Sequence, residues 1–237
     1  MIGLDCRAMV KCHSNKTTSK SSARSVAAAE GLYHPDYEHD ACGVGFVANI
    51  NGTASYAIVK SGIKVLENLL HRGATGADKD TGDGAGILIQ VPDRFLRREC
   101  RQVGIDLPEP GDYGVGMFFL PREPESEKAC REALEATISN EGMVMLGWRE
   151  VPVDPCILGK MARESLPVIK QCFVTSSSLS GDELERKLYV LRRLVEKQCR
   201  EELNLNLEQF YVCSLSSRTL VYKGLMMATQ VPGFYSD

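Results

Sequence analysis

The chain has 237 residues, with 28 Lys+Arg against 31 Asp+Glu and a formal net charge of −3. This near balance excludes a strongly basic nucleic-acid-binding protein, and no apolar run approaches the roughly 20 residues that a membrane span needs. Nine cysteines without a C-x-x-C spacing or a Cys/His cluster argue for reduced thiols. The same spacing argues against a disulfide scaffold and a zinc site, so no metal ligands are predicted.

The first 41 residues differ in composition from the rest. Residues 1–29 are basic, rich in serine and poor in acids, which is typical of an organelle transit peptide; a disordered tail is the alternative. Residues 30–41 are acidic and contain Pro35, which breaks any helix, so they are interpreted as a connector.

From residue 42 onward the apolar pattern becomes regular. Alternation and 3.6-residue periodicity predict the following elements. The strands are 43–50, 87–91, 113–120, 143–148, 168–174, 209–215 and 219–223, and the helices are about 56–70, 126–141 and 181–202. Strands outnumber helices, and helices do not follow every strand. This favours an α+β fold with antiparallel sheets over a doubly wound nucleotide-binding fold.

Local signals predict how several elements end. Asn51-Gly52 is typical of a tight turn, and Gly73 is expected to end the first helix as a left-handed cap. Ser180 and Glu183 have capping-box spacing at the start of the helix over 181–202. The last two strands are predicted to form a hairpin with a turn near Ser216-Ser217.

Cys42 is the first candidate for chemistry. By itself a cysteine before Gly-Val-Gly-Phe is most often a small core hydrophobe. If the bond between Ala41 and Cys42 were cleaved, the residue would carry a thiol and a free α-amine with a pKa of about 7.7–8.0. It would then supply nucleophile and general base together. Gly43 and Gly45 would let a substrate approach the backbone closely.

Two further segments compete between structural and functional interpretations. His71-Arg72-Gly73 suits a helix C-terminus, where cations oppose the macrodipole, but Arg72 could also lower the pKa of a nearby thiol. The Gly/Asp-rich loop over 76–86 matches neither a phosphate-binding loop nor a calcium loop. It is interpreted as a structural connector whose glycines allow positive φ and tight packing.

Three motifs in order resemble the amino-terminal region of the glutamate synthase family. They are H-D-A-C-G-V-G-F-V-A-N at 39–49, I-V-K-S-G-I-K-V-L-E-N-L-L-H-R-G-A-T-G-A-D at 58–78 and T-G-D-G-A-G-I at 81–87. Weaker matches extend the resemblance to residue 237. In that family this region is a class II glutamine amidotransferase with the N-terminal-nucleophile fold, an αββα four-layer sandwich.

The resemblance implies a residue-by-residue site. Cys42 would be the nucleophile, exposed once residues 30–41 are removed as a propeptide, and its substrate would be glutamine. Arg72 and Gly73 would lie beside the nucleophile, with His71 structural. The intact enzyme would pass ammonia to a 2-oxoglutarate site and use FMN, an iron–sulfur cluster and NAD(P)H or ferredoxin, all outside this chain. No cofactor is expected in 42–237, and the leader with the family indicates a plastid, with mitochondrion or cytosol as alternatives.

The chain departs from the family by lacking three of its motifs. The glutamine-binding H-S-R-F-S-T-N-T stretch, the oxyanion-hole H-N-G-E stretch and a later acid that holds the substrate amine do not occur. We therefore expect residues 42–237 to be a partial amidotransferase domain, incomplete at the C-terminus and nearly inactive alone. The alternatives are a catalytically inert truncated product and another amide-hydrolysing member of the same superfamily.

Overall fold

The structure is a computed structural model, and it describes residues 43–73, 75, 78–203, 205 and 210–237. The predicted transit peptide (1–29), propeptide (30–41) and nucleophile Cys42 lie outside these residues. The helices are α1 (Tyr56–Asn68), α2 (Asp93–Gln102), α3 (Pro124–Asn140), α4 (Lys160–Glu164), α5 (Gly181–Glu201) and α6 (Val231–Phe234). The strands are β1 (Ala85–Gln90), β2 (Tyr113–Leu120), β3 (Val144–Glu150), β4 (Val168–Thr175), β5 (Tyr211–Ser216) and β6 (Thr219–Gly224). Short 3₁₀ turns occupy Leu70–Arg72, Pro155–Ile157 and Ala228–Gln230.

The described strands form two antiparallel sheets. Four strands pair in the order β3-β4-β2-β5, and β1 pairs with β6 as a separate ribbon. Helices and antiparallel strands are mixed along the chain, so the predicted α+β class is confirmed. All eight residues of β2 are buried, since this strand has a neighbour on each side and apolar side chains cover both its faces.

Each face of the four-stranded sheet has its own apolar core. On one face α3 and α5 pack against alternate side chains of β2 such as Phe118 and Leu120. The predicted apolar face of α5 is fully buried there and consists of Leu184, Leu188, Leu191 and Val195. On the other face Val115 and Met117 of β2 pack against β6 and α2. Each fully buried aliphatic side chain stabilises the fold by about 1.5–3 kcal/mol.

The predicted strand over 43–50 does not form. Val44 and Phe46 are 90% and 91% exposed, and the segment is irregular up to a turn closed by Gly52 N–H donating to Asn49 O at 3.0 Å. Among the described residues no strand pairs with it, and apolar alternation alone cannot supply the backbone partner that a strand requires. The predicted turn at Asn51-Gly52 is confirmed, with Gly52 at φ 69°.

The predicted hairpin is also wrong, although both of its strands exist. β5 pairs with β2 and β6 pairs with β1, so the chain crosses between sheets at the turn. The Ser216 hydroxyl accepts hydrogen bonds from Arg218 N–H and Thr219 N–H at 3.0 and 3.1 Å. The Ser214 hydroxyl accepts from Val221 N–H at 3.2 Å. These hydroxyls satisfy amides that a hairpin ladder would otherwise pair.

Two of the predicted helix ends differ from the structure. α1 ends at Asn68 and a 3₁₀ turn follows, so Gly73 has φ −88° and is not a left-handed cap. Ser180 makes no side-chain cap to α5, because Gly181 at the first helical position has φ +53° and changes the direction in which the chain enters the helix. Gly142, at φ 70°, follows the C-cap Glu141 and ends α3.

Helix α2 was not predicted because few of its residues are apolar. Only Leu96 and Cys100 are fully buried, and most of the remaining positions are charged. Leu96 and Cys100 are four residues apart and therefore lie on one face of the helix, and Asp93 is an acid in its first turn. These two features were the available signals for a helix.

Candidate active site

Helix α1 packs against Gly45 on one side and against strand β1 on another. A side chain on Gly45 would collide with Val65 of α1, so the backbone of the 43–49 segment lies directly against this helix. On β1, Ile87 Cδ1 would lie 3.2 Å from a Cβ at Gly62 of the same helix. Both close approaches depend on glycine, and together they place Gly45 and Ile87 against the same helix.

The H-R-G motif follows α1 as a 3₁₀ turn. His71 Nδ1 lies 3.0 Å from Asn68 O, and a carbonyl only accepts, so the Nδ1–H donates to a free carbonyl at the end of the helix. This contact supports the interpretation of His71 as structural. Gly73 N–H donates to Leu70 O at 3.1 Å and closes the turn. The side chain of Arg72 and all of Cys42 lie outside the described part, so their predicted roles remain predictions.

The H-R-G and T-G-D-G-A-G segments lie side by side. Thr75 and Gly82 form an isolated antiparallel bridge. A Cβ at Gly73 would be 3.5 Å from Asp83 Oδ1, which brings an exposed carboxylate beside the H-R-G turn. Two motifs that the sequence only spaces along the chain are therefore neighbours in the fold.

Asp78 holds the beginning of this loop on helix α4. Its Oδ2 accepts from Met161 N–H at 3.0 Å and from the Thr81 hydroxyl at 2.7 Å, and its Oδ1 accepts from Asp80 N–H at 3.0 Å. Hydrogen bonds to the charged form, the strongest from Met161 N–H, lower the pKa of Asp78 below its usual value. The carboxylate thus stays ionised at the amino end of α4.

Gln230 holds the same loop from another side. Its Nε2 donates to Asp80 O at 3.0 Å and to Ile157 O at 2.8 Å, while its Oε1 accepts from Met227 N–H at 2.7 Å. The backbone is packed so closely here that a Cβ at Gly82 would lie 2.5 Å from Met226 C.

The loop's glycines have the roles that a structural connector requires. Gly84 adopts φ 131°, and a Cβ at Gly86 would meet Lys223 Cβ at 2.5 Å. The predicted positive φ is confirmed at Gly84, and the predicted tight packing is confirmed at Gly82 and Gly86. The residues that anchor the loop, Asp78, Thr81 and Gln230, were not predicted. The D-x-x-T spacing of the first two was the available signal.

In the described part of the chain, none of the helices has the length and apolar character to cross a bilayer. The same residues contain no group of three or more His, Cys, Asp or Glu side chains placed to hold a metal ion.

Comparison with known proteins identifies relatives across most of the chain. The family model described as "Glutamine amidotransferases class-II" matches residues 42–237. The NADPH glutamate synthase large chain of Bacillus subtilis is 48% identical over 212 residues, which cover 88% of this chain and 14% of that protein. The NADH glutamate synthase of Saccharomyces cerevisiae is 40% identical over 230 residues, which cover 92% of this chain and 10% of that protein.

A plant protein shows the same partial coverage. Ferredoxin-dependent glutamate synthase 1, chloroplastic/mitochondrial, of Arabidopsis thaliana is 39% identical over 201 residues, covering 84% of this chain and 12% of the plant protein. The chain therefore spans about a tenth to a seventh of the length of these relatives. Because the family match covers residues 42–237 and includes Cys42, a catalytically inert product is not favoured.

Proposed function

The chain belongs to the class-II glutamine amidotransferase family, and on that premise we propose that it is the glutaminase domain of a glutamate synthase. The single observation that carries the proposal is the family match to residues 42–237, whose first residue is the proposed nucleophile Cys42. Several relatives named glutamate synthase support this assignment over another amide-hydrolysing superfamily member.

In the proposed reaction Cys42 performs the chemistry. Removal of residues 30–41 frees its α-amine, whose pKa of about 7.7–8.0 lets it take the thiol proton near neutral pH. The thiolate attacks the side-chain amide carbon of glutamine, and the amine returns the proton to the departing ammonia. Water then attacks the thioester carbonyl and releases glutamate, which restores the thiol.

Arg72 and Gly73 would form the wall beside this nucleophile. A guanidinium near Cys42 stabilises the thiolate and lowers the thiol pKa. The adjacent Asp83 carboxylate would balance part of that positive charge. The hydrogen bonds of Asp78 and Gln230 fix the loop that carries Asp83, so they would act on the site through its scaffold.

The rest of the reaction belongs to other parts of a longer polypeptide. The relatives' length suggests that the glutamine clamp, the oxyanion hole, the 2-oxoglutarate site, FMN and an iron–sulfur cluster lie outside residues 42–237. The described residues do not fit an iron–sulfur cluster, which takes about four cysteine thiolates, because they contain no three-ligand cluster. The relatives' names include NADPH, NADH and ferredoxin forms, so the donor stays open.

We also propose the complete N-terminal-nucleophile sandwich as the fold of the whole domain. Helix α1 packs on β1 of the two-stranded ribbon, and α3 and α5 pack on the outer face of the four-stranded sheet. The core formed by Val115, Met117 and Leu220 lies between the two sheets. These contacts fit an αββα order, and an experimental structure of the longer polypeptide would test it.

The proposed subcellular location is the plastid, with the mitochondrion or the cytosol as the alternatives. It rests on the basic, serine-rich residues 1–29 and on the plant relative named chloroplastic/mitochondrial. Fusion of residues 1–41 to a fluorescent protein tests this location directly. Import of the fusion into plastids supports it, and cytosolic fluorescence overturns it.

The decisive experiment uses the native protein at its full natural length. We expect amino-terminal sequencing to begin at Cys42, and 6-diazo-5-oxonorleucine, an electrophilic glutamine analogue, to label that cysteine. Cys42→Ala should abolish both labelling and glutamine hydrolysis, whereas Cys156→Ala, at an exposed cysteine, should change neither. A retained Met1 with no label at position 42 would refute the proposed function.

A further inference from the structure

Gln230 is a buried glutamine whose side chain joins three separate segments of the chain. It is 7% exposed and belongs to the 3₁₀ turn Ala228–Gln230. Its Nε2 donates to Asp80 O at 3.0 Å and to Ile157 O at 2.8 Å, and its Oε1 accepts from Met227 N–H at 2.7 Å. A buried amide that is paired at both ends holds together segments that no strand ladder connects.

The orientation of this amide is fixed by its partners. Both groups that face Nε2 are carbonyls, which only accept, and the group that faces Oε1 is a backbone N–H, which only donates. Gln230 N–H also donates to Met227 O at 3.0 Å, so backbone and side chain close the turn together. The donor that reaches Asp80 therefore belongs to a turn that is already closed by its own hydrogen bonds.

The turn lies against the two segments that lead to the H-R-G motif. One is the loop over 78–86, where a Cβ at Gly82 would lie 2.5 Å from Met226 C. Gly82 in turn forms the bridge to Thr75, two residues beyond H-R-G. The other is helix α1, which the 3₁₀ turn contacts and which ends just before H-R-G. A displacement of the turn would therefore reach H-R-G through both the loop and the helix.

Other anchors hold the 78–86 loop from the side of α4. Asp80 O also accepts from Gly159 N–H at 3.2 Å, and Asp78 Oδ2 accepts from Met161 N–H at 3.0 Å. These contacts do not involve Gln230, so they remain when its side chain is changed. Loss of that side chain should therefore shift the loop and leave the fold in place.

We propose that Gln230 is a positioning residue for glutamine hydrolysis, which holds the 78–86 loop so that the H-R-G turn stays beside the nucleophile. The inference rests on the proposed function, because Arg72 and Cys42 perform the chemistry that Gln230 positions. Misplacement of a reacting group by about 1 Å can reduce a rate about 100-fold. The effect should fall on the chemical step, since the proposed glutamine clamp lies outside residues 42–237.

The test compares Gln230→Met with Gln198→Met in the protein at its full natural length. The first variant keeps the length of the side chain and removes its three hydrogen bonds. The second makes the same substitution on the other face of the four-stranded sheet, where Gln198 Oε1 accepts from the Thr137 hydroxyl at 2.9 Å. Glutamine hydrolysis gives kcat and KM. Hydrogen–deuterium exchange of the 78–86 loop reports on its position, with β2 as the reference.

We expect Gln230→Met to lower kcat by about 10- to 100-fold while KM changes by less than about two-fold. Amide exchange should become faster in the 78–86 loop and stay unchanged in β2. Gln198→Met should keep kcat and KM within about two-fold of the wild type. Unchanged kcat in folded Gln230→Met would overturn the inference. A raised KM at constant kcat, or a lower kcat without faster exchange in the loop, would overturn it as well.

The same measurements separate this inference from the proposed function. A wild type that neither hydrolyses glutamine nor is labelled at Cys42 overturns both, whereas an active wild type with an unaffected Gln230→Met overturns the inference alone. If Gln230→Met fails to fold, Thr81→Val releases the same loop by removing the hydrogen bond to Asp78 at 2.7 Å. Faster exchange with unchanged kcat in that variant would refute the inference, and a lower kcat at unchanged KM would support it.

Discussion

The buried ion pair between Arg149 and Asp237 offers a quantitative test of how the fold is held together. Arg149 Nη2 lies 2.6 Å from Asp237 Oδ1, its Nη1 lies 2.9 Å from Asp237 Oδ2, and the two side chains are 6% and 5% exposed. Arg149 Nη1 also donates to Gln171 Oε1 at 2.9 Å, and the Tyr222 hydroxyl donates to Asp237 at 3.0 Å. Each charge is therefore the nearest counter-charge of the other, and the Glu99 carboxylate lies farther from Arg149 Nη2, at 3.8 Å.

Asp237→Asn keeps the size of the side chain and removes its charge. The guanidinium would then keep the hydrogen bond to Gln171 and, as a counter-charge, only the Glu99 carboxylate 3.8 Å from its Nη2. Loss of the close partner costs about 3–5 kcal/mol of unfolding free energy. For a domain of this size that corresponds to a fall in melting temperature of about 6–20 °C. Arg149→Met should cost a similar amount. The double variant buries neither charge, so its loss should be smaller than the sum of the two by about 2 kcal/mol or more.

The assay is urea unfolding of the full chain followed by the fluorescence of Trp148, the only tryptophan. Its indole N–H donates to Glu135 at 2.8 Å and its ring packs edge-on to Phe118 at 5.6 Å, so the signal reports loss of the α3–sheet contact. Arg218→Met serves as the control, because that exposed arginine pairs with Asp182 on the surface and should matter by less than about 1 kcal/mol. Additive single effects, or a loss below about 1 kcal/mol for Asp237→Asn, would contradict this reasoning.

Three further predictions concern packing, acid stability and solubility. Leu188→Ala should cost about 2–5 kcal/mol in urea unfolding because the side chain is fully buried, and Leu194→Ala, at a 37% exposed position of the same helix, should cost far less; equal losses would contradict the packing. Burial raises the pKa of Glu127, but hydrogen bonds from a neighbouring arginine and lysine outweigh it and lower the pKa overall. The folded pKa is thus below the unfolded value, so this stabilisation is present above about pH 4.5 and disappears as pH falls through the folded pKa. The unfolding free energy measured in urea at a series of acidic pH values should contain this contribution in the wild type and lack it in Glu127→Gln. Because the apolar side chains of Val44, Phe46 and Ile50 are exposed, residues 42–237 expressed alone should aggregate. Phe46→Lys should reduce the light scattering of that preparation, and a monomeric preparation that melts cooperatively would refute the expectation.

The elements that could be predicted from the sequence are those whose signal is local. Leu184, Leu188 and Leu191 repeat on one face of α5, and all three are fully buried in the structure. The β2 run 113–120 is apolar throughout because both of its faces are covered, and its bounds were predicted without error. In both cases the pattern reflects burial on known faces, so it needs no information about distant segments.

Strand pairing could not be predicted in this way, because it joins segments that are far apart in sequence. β1 pairs with β6 in a register that places Ala85 opposite Gly224. No feature of 219–223 distinguishes that partner from the adjacent β5. The hydroxyls of Ser214 and Ser216 accept hydrogen bonds from backbone amides of the turn and of β6, so β6 can pair with β1 in the other sheet. Strand propensity does not predict such side-chain hydrogen bonds.

The candidate site shows the same division between motif and scaffold. Cys42, Arg72 and Gly73 stand out because their residue types suit nucleophilic chemistry at that spacing. The loop beside them owes its position to Asp78 and Gln230, whose bonds to Met161 N–H and Asp80 O join segments 83 and 150 residues apart. These long-range hydrogen bonds cannot be predicted from motif spacing, because both Asp78 and Gln230 are residue types that are common in solvated loops. The glycines of T-G-D-G-A-G are explained by this placement, because Gly82 lies against Met226 and Gly86 against Lys223, where there is room for backbone only.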